Sequence, residues 1–303
     1  RACAPPYPKE ERMRVDQIFE NARAAGTMPV SFEMFPPKGA LTLERAREVA
    51  GGFAELAPDF VSVTYSAGGS GNSAATAKIA QMISEELGLT SVAHLTCISL
   101  TPETLGEKIA EFRSAGIENV LALRGDLPDG MSEAEADGIA FPYAKDLVPA
   151  LVDAGFCVGG AAYPEGHLTC DDLVTSVKHL KQKQDAGASF FVTQLFFDNE
   201  CFYRFRELAD AAGITVPITA GIMPFTSKQQ VTRMVFTCAA SLPAPVIKIL
   251  ARYEDDPASL RAAGIEYACR QLEDLAAHGV DGLHVYTMNR ADVAAAAMSA
   301  LRG

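Results

Sequence analysis

Apolar residues gather into eight short, near-continuous runs, at 30–36, 60–66, 91–97, 120–126, 157–164, 190–197, 218–224 and 283–289. Runs that are apolar at successive rather than alternate positions suit strands covered on both faces, which is the condition of a parallel sheet. Between the runs the apolar positions recur at helical spacing, over 41–56, 74–87, 105–115, 143–154, 171–186 and 200–212. Thr101-Pro102-Glu103 offers an N-cap, a proline in the first turn and an acidic first turn to the helix that follows. Gly116, Gly187 and Gly213 stand where three helices should end. Strand and helix alternate, so the pattern predicts a single (β/α)8 TIM barrel, α/β in class, spanning residues 13–303. One interval breaks the rhythm. About sixty residues separate the seventh and eighth runs, and they carry extra helical patterns at 227–239, 246–253 and 259–277. The chain closes on a helix at 290–301.

Residues 1–12 are proline-rich and read as a disordered leader, with Met13 as the natural first residue and an amphipathic helix over Val15–Ala25. The formal charge of −12 argues against a nucleic-acid surface and against anionic membrane, so contacts to an anionic ligand would have to be local. No apolar run is long enough to span a bilayer. The seven cysteines form no CxxC pair and their number is odd, which predicts reduced thiols in a cytoplasmic protein rather than a disulfide framework or zinc site.

Barrel sites lie at the C-terminal rim of the strands, so the ends of the runs are where chemistry should appear. The first run holds Glu33 among Phe32, Met34 and Phe35, an apolar setting that favours the protonated carboxyl a general acid needs. The fourth stops abruptly at Arg124-Gly125-Asp126. His94 in the third run reads as a satisfied core histidine, and Gln194 in the sixth as a structural bridge or a ligand contact. No strand core holds a lysine, no His-x-His or carboxylate cluster suggests a metal, and no Ser or Cys stands in a nucleophile elbow. What is left suits a large planar heterocycle whose own electrons do the work. Gly69-Ser70-Gly71-Asn72-Ser73-Ala74 matches a dinucleotide-binding form, but no acidic residue ends the next strand. It is read as a mobile loop over the site.

Taken together, Ser31-Phe32-Glu33 with Phe35-Pro36-Pro37, Val63-Thr64-Tyr65, His94-Leu95-Thr96-Cys97, Leu123-Arg124-Gly125-Asp126, Ala162-Tyr163-Pro164-Glu165 with His167, Thr193-Gln194, Gly221-Ile222-Met223-Pro224 and Tyr286-Thr287-Met288-Asn289-Arg290 resemble the methylenetetrahydrofolate reductase family, in the family's order and across nearly the whole chain from Pro29. The resemblance is to the compact bacterial type. It implies a barrel holding non-covalent FAD. NADH or NADPH would reduce the flavin and leave, and methylenetetrahydrofolate would take its place in a ping-pong cycle yielding 5-methyltetrahydrofolate.

Position by position, the resemblance implies Glu33 as general acid and Asp126 as the carboxylate beside flavin and folate. Thr64, Tyr65, His94, Arg124, Gly125, Tyr143, Ala144, Tyr163, His167 and Lys183 match flavin-binding positions, and Gln194, Gln230 and Arg290 match folate-side positions. A homo-oligomer is expected, with no metal. His179 and Gln182 depart from family positions that often carry Asn and Arg, and Met234 stands where relatives often place Phe. Those departures leave room for a second reading, a flavin-binding subunit fed electrons by a protein partner. A cofactor-free lyase or folate-binding barrel is the third.

Overall fold

The computed structural model describes residues 13–37, 42–65, 73–128 and 130–302. The leader, residues 1–12, and most of the Gly/Ser loop, residues 66–72, lie outside the described residues. In chain order the elements are α1 (Val15–Ala25), β1 (Val30–Met34), α2 (Thr42–Ala54), β2 (Phe60–Val63), α3 (Ser73–Leu87), β3 (Ser91–Thr96), α4 (Pro102–Ser114), β4 (Asn119–Leu123), α5 (Glu133–Ala136), α6 (Ala144–Asp153), β5 (Cys157–Ala162), α7 (Leu173–Asp185), β6 (Phe190–Thr193), α8 (Asn199–Ala211), β7 (Ile218–Ile222), α9 (Lys228–Cys238), α10 (Ala244–Arg252), α11 (Pro257–Ala277), β8 (Gly282–Tyr286) and α12 (Ala291–Arg302). The eight strands are all parallel and close on themselves, β8 pairing with β1. The extra helices between β7 and β8 are α9 to α11.

Local signals set several boundaries. Thr101 accepts a hydrogen bond from the Thr104 N–H and caps α4, as its sequence suggests. The strands are shorter than the apolar runs. β6 ends at Thr193, yet Leu195, Phe196 and Phe197 beyond it are all buried. Leu195 and Phe197 pack with Met223, Phe225 and side chains of α9, α10 and α11 in a separate cluster. An apolar run therefore marks burial, and only its first part is in the ladder; the rest is a buried loop at the rim.

The two-residue period of each strand sorts its side chains. Phe32, Met34, Val61 and Val63 face the helices, with Phe32 edge-on to Phe53 of α2 at 5.3 Å between ring centres. Phe60, Val92, Leu121, Cys157, Phe190 and Val192 point into the barrel and pack against Val15, Ile18 and Phe19 of α1. α1 thus closes the N-terminal mouth. Asn119 secures it: its carbonyl accepts from the Val15 N–H at 2.8 Å and its amide donates to the Ser91 carbonyl at 3.2 Å. Gly159 makes room inside, because a Cβ there would strike the Phe190 ring.

Candidate active site

The inward register of β1 carries Ser31 and Glu33, and the ladder sets Glu33 beside Ser62 of β2 and Tyr286 of β8. Glu33 Oε2 lies 3.8 Å from His94 Nε2 and 3.9 Å from His284 Nε2. Both imidazoles are buried and neither Nε2 has a hydrogen-bond partner. Burial pulls the His94 pKa down to about 4 against the attraction of Glu33. At neutral pH His94 is therefore uncharged, and its approach to Glu33 is neither an ion pair nor, at that length, a hydrogen bond. The expectation of a satisfied core histidine is corrected: a ring nitrogen is left bare because it faces the site rather than a backbone partner.

β8 anchors the end of β1. Thr287 Oγ1 donates to the Glu33 carbonyl at 2.7 Å. The Asn289 amide brackets Phe35, accepting from its N–H at 3.0 Å and donating to its carbonyl at 2.8 Å. Met288 and Asn289 both adopt positive φ, 54° and 57°, a strained turn for two successive residues with side chains, and these contacts hold it. The Tyr286 hydroxyl donates to the Thr193 carbonyl at 2.5 Å, and burial raises its pKa well above the ordinary value, so it stays protonated.

A second feature is a cavity of about 280 Å³ between the ends of β4 and β5 and helices α6 and α7. Arg124, Tyr143, Ala144, Tyr163, His167 and Lys183 all line it, and the fold brings these six together from four segments. Lys183 is half-buried, donates to the Ala161 carbonyl at 2.7 Å and lies 5.5 Å from the Tyr163 ring centre. Burial lowers its pKa to about 8. Arg124 donates to the Pro142 carbonyl at 3.0 Å and sits 4.8 Å from the centre of the Tyr143 ring. Burial pushes the Tyr163 phenol up to about 12, and the charge of Asp126 adds to it. His179 and Gln182 also line the cavity, with His179 Nδ1 3.5 Å from Cys170 Sγ.

The remaining residues singled out in the sequence lie mostly where strands meet loops. Thr64, just past β2, donates its N–H to the Met34 carbonyl and accepts from the Thr76 hydroxyl; Tyr65 packs against the core. Gly125 has φ +83°, and a Cβ there would lie 2.8 Å from Thr96 Cβ, so the turn after β4 requires glycine. Asp126 is exposed. Gln194 follows β6, its side-chain oxygen accepting from the Leu195 N–H. Gln230, in the first turn of α9, accepts from both the N–H and the hydroxyl of Thr226, while its buried Nε2 has no partner. Arg290 is half exposed, with Nε 3.8 Å from Asp292 Oδ1. Met234 is partly buried in the cluster around α9.

Sequence reasoning gave no role to His284 or to the Ser31 hydroxyl. The available signal was alternation: His284 precedes Tyr286 by two positions and shares its inward face. Chemically, the C-terminal rim offers an inward carboxyl near two imidazoles and a phenol, and, between β4, β5, α6 and α7, a cavity with two cations and two phenols. The cavity can hold an extended anion, and the carboxyl can serve as a proton source. Among the described residues no cluster of three or more His, Cys, Asp or Glu side chains could hold a metal.

A profile described as methylenetetrahydrofolate reductase matches residues 17–302. The 5,10-methylenetetrahydrofolate reductase of Escherichia coli (strain K12) is 36% identical over 273 residues, 90% of each chain. Methylenetetrahydrofolate reductase (NADH) 1 of Arabidopsis thaliana is 34% identical over 290 residues, which is 91% of this chain and 49% of that one. A solved structure of an uncharacterized protein from Clostridium thermocellum, described as binding two copies of 5-methyl-5,6,7,8-tetrahydrofolic acid, superposes with a TM-score of 0.60 at 14% identity, over 94% of this chain and all of that one. This last likeness is one of fold.

Proposed function

Because the chain belongs to the methylenetetrahydrofolate reductase family, we propose that it reduces 5,10-methylenetetrahydrofolate to 5-methyltetrahydrofolate, using FAD and taking electrons from NADH or NADPH in a ping-pong cycle. The observation that carries this reading is the inward Glu33 near the end of β1, flanked by His94, His284 and Tyr286, on the same C-terminal rim as a cavity lined by Arg124 and Lys183.

The cavity residues fit FAD. Lys183 is a half-buried cation with no carboxylate ion pair among the described residues, and Arg124 lines the same cavity. Two such groups offset a diphosphate in a chain of net charge −12. Tyr143 and Tyr163 offer apolar faces, and Gly125 lets the chain after Arg124 turn tightly against Thr96. Thr64, Tyr65, Ala144 and His167 complete the set that would hold the cofactor. When bound, FAD supplies a two-electron relay between the nicotinamide and the folate.

The chain's own residues do the rest. Glu33 protonates the leaving nitrogen as the imidazolidine ring opens, which exposes an iminium carbon to hydride. Asp126 contributes negative charge that favours the cationic iminium. Gln194 and Gln230 present amides to the bound substrates, and the orphaned Gln230 Nε2 is a donor awaiting an acceptor. Arg290, at the outer end of β8, pairs with a carboxylate of the folate tail. We place the enzyme in the cytoplasm as a homo-oligomer. No helix of the described residues is long and apolar enough to cross a membrane.

Anaerobic half-reactions test the proposal. Protein purified with FAD should bleach at the flavin band with NADH or NADPH and regain colour on adding methylenetetrahydrofolate. A colourless protein that takes up no FAD would overturn it. A flavoprotein that exchanges electrons with folate but with neither nicotinamide would point to a protein donor. In Glu33→Gln, bleaching by nicotinamide should persist while recolouring by folate slows by about 10²–10⁴. Equal loss in both half-reactions would remove Glu33 from its role.

A further inference from the structure

Behind Glu33 stands a pair of side chains that the reaction as described does not use. His284 is wholly buried on β8, and its Nδ1 lies 2.7 Å from Ser31 Oγ, one inward position below Glu33 on β1. Ser31 Oγ also donates to the Leu283 carbonyl at 3.1 Å. A hydroxyl has one proton. If Leu283 receives it, the contact to His284 can form only with Ser31 as acceptor, so Nδ1 carries the imidazole proton and Nε2 is a bare lone pair. That lone pair faces Glu33 Oε2 at 3.9 Å with no other partner.

We propose that Ser31 and His284 are a positioning pair that locks the imidazole in its Nδ1–H form and thereby holds Glu33 as the protonated acid. This rests on the reading of Glu33 as the proton donor. A carboxylate facing an imidazole lone pair is repelled. A carboxylic acid that turns about its soft terminal torsion donates to the lone pair instead. A hydrogen bond made only by the neutral form favours that form. The titratable groups facing Glu33 are His94 from β3 and His284 and Tyr286 from β8. At neutral pH His94 is uncharged and Tyr286 is a protonated phenol, and in the proposed pair His284 spends its one N–H on Ser31. In turnover the proton leaves Glu33 for the nitrogen as the C–N bond breaks and its electron pair stays on nitrogen. Water restores the proton once product has left.

Two measurements decide this. The chain has five histidines, so ¹⁵N spectra of histidine-labelled protein, with His284→Asn for assignment, resolve the tautomer directly. His284 should be Nδ1–H with a bare Nε2 from pH 6 to pH 9. A proton on Nε2, or an imidazolium, overturns the proposal whether or not the protein turns over. In Ser31→Ala the lock is lost, and an Nε2–H form can donate to the Glu33 carboxylate. The pH at which the folate half-reaction falls to half should drop by about one unit, a roughly tenfold loss on the alkaline side. Ser31→Thr, which keeps the hydroxyl, should restore the wild-type profile. FAD content and melting temperature report that each variant is folded. An unmoved pH profile in folded, FAD-loaded Ser31→Ala overturns the pair. Wild-type protein inert toward folate would sink the proposed function instead, and the spectra would still judge the pair.

Discussion

Lys183 shows how a single residue is set up for a ligand. It is half-buried, its ammonium meets a carbonyl and an aromatic face, and desolvation takes its pKa to about 8. The folded-state value lies below that of the free side chain. Below pH 8 both folded and unfolded chains carry the charge, and the apoprotein bears the full penalty. From pH 8 to about 10.5 only the unfolded chain holds on to the proton, so the penalty is relieved as pH rises. Lys183→Met should therefore raise apoprotein stability by about 1–3 kcal/mol in urea melts while weakening FAD by tenfold or more. Because an anion wants the ammonium charged, FAD affinity of the wild type should fall as pH rises through 8, a trend flavin fluorescence titrations at pH 7 and pH 9 would reveal. Gly125 makes the opposite case, a residue chosen for what it lacks. Gly125→Ala would force a side chain onto φ +83° and against Thr96, costing about 1–3 kcal/mol, read as a lowered melting temperature.

Elements owe their places to a few polar side chains at their ends. α1 is held over the barrel mouth by apolar packing and by Asn119, whose carbonyl satisfies the Val15 N–H. Asn119→Ala leaves that buried donor without a partner, which costs about 1–3 kcal/mol. Hydrogen exchange should show α1 opening well before the strands; uniform loss of protection would assign Asn119 to global stability. β8 acts on β1 in the same manner, through Thr287 and Asn289. The strained turn at Met288-Asn289 is the price of pinning the strand that carries Glu33. The apolar runs revealed the strands but not their ends, since Leu195 to Phe197 are buried by loop packing as thoroughly as the ladder residues before them. Hydrophobicity reports the loss of water, and it does so whatever the hydrogen-bond pattern.

At the scale of the whole molecule, the buried imidazole in the barrel sets the acid limit. His94 titrates near pH 4 when folded and near 6.5 when free, so the unfolded chain takes up protons first as pH falls. Stability contributed by its neutral form is complete above about pH 6.5 and is lost toward pH 4, amounting to about 2 kcal/mol by pH 5. Urea midpoints of wild type should drop between pH 7 and pH 5, and His94→Gln should flatten that drop. The acidic total and the basic cavity coexist because the cations sit inside and the carboxylates lie largely at the surface, so the two act over different distances.

Order along the chain was enough to determine the alternation of strands and helices, the extra helices before β8, α1, and the motifs that gather at strand ends, because each depends on neighbours a few residues apart. Six of the positions matched to flavin binding by resemblance line one cavity, five of them just past strands or at the start of α6 and Lys183 from the last turn of α7. What only the closed barrel decided is which inward atoms meet across it. Ser31 and His284 are 253 positions apart, and their contact exists because β8 returns to pair with β1. The bare nitrogen opposite Glu33 follows from that closure: burial removes water from both imidazoles, and the register leaves each of them one atom with nothing else to bind.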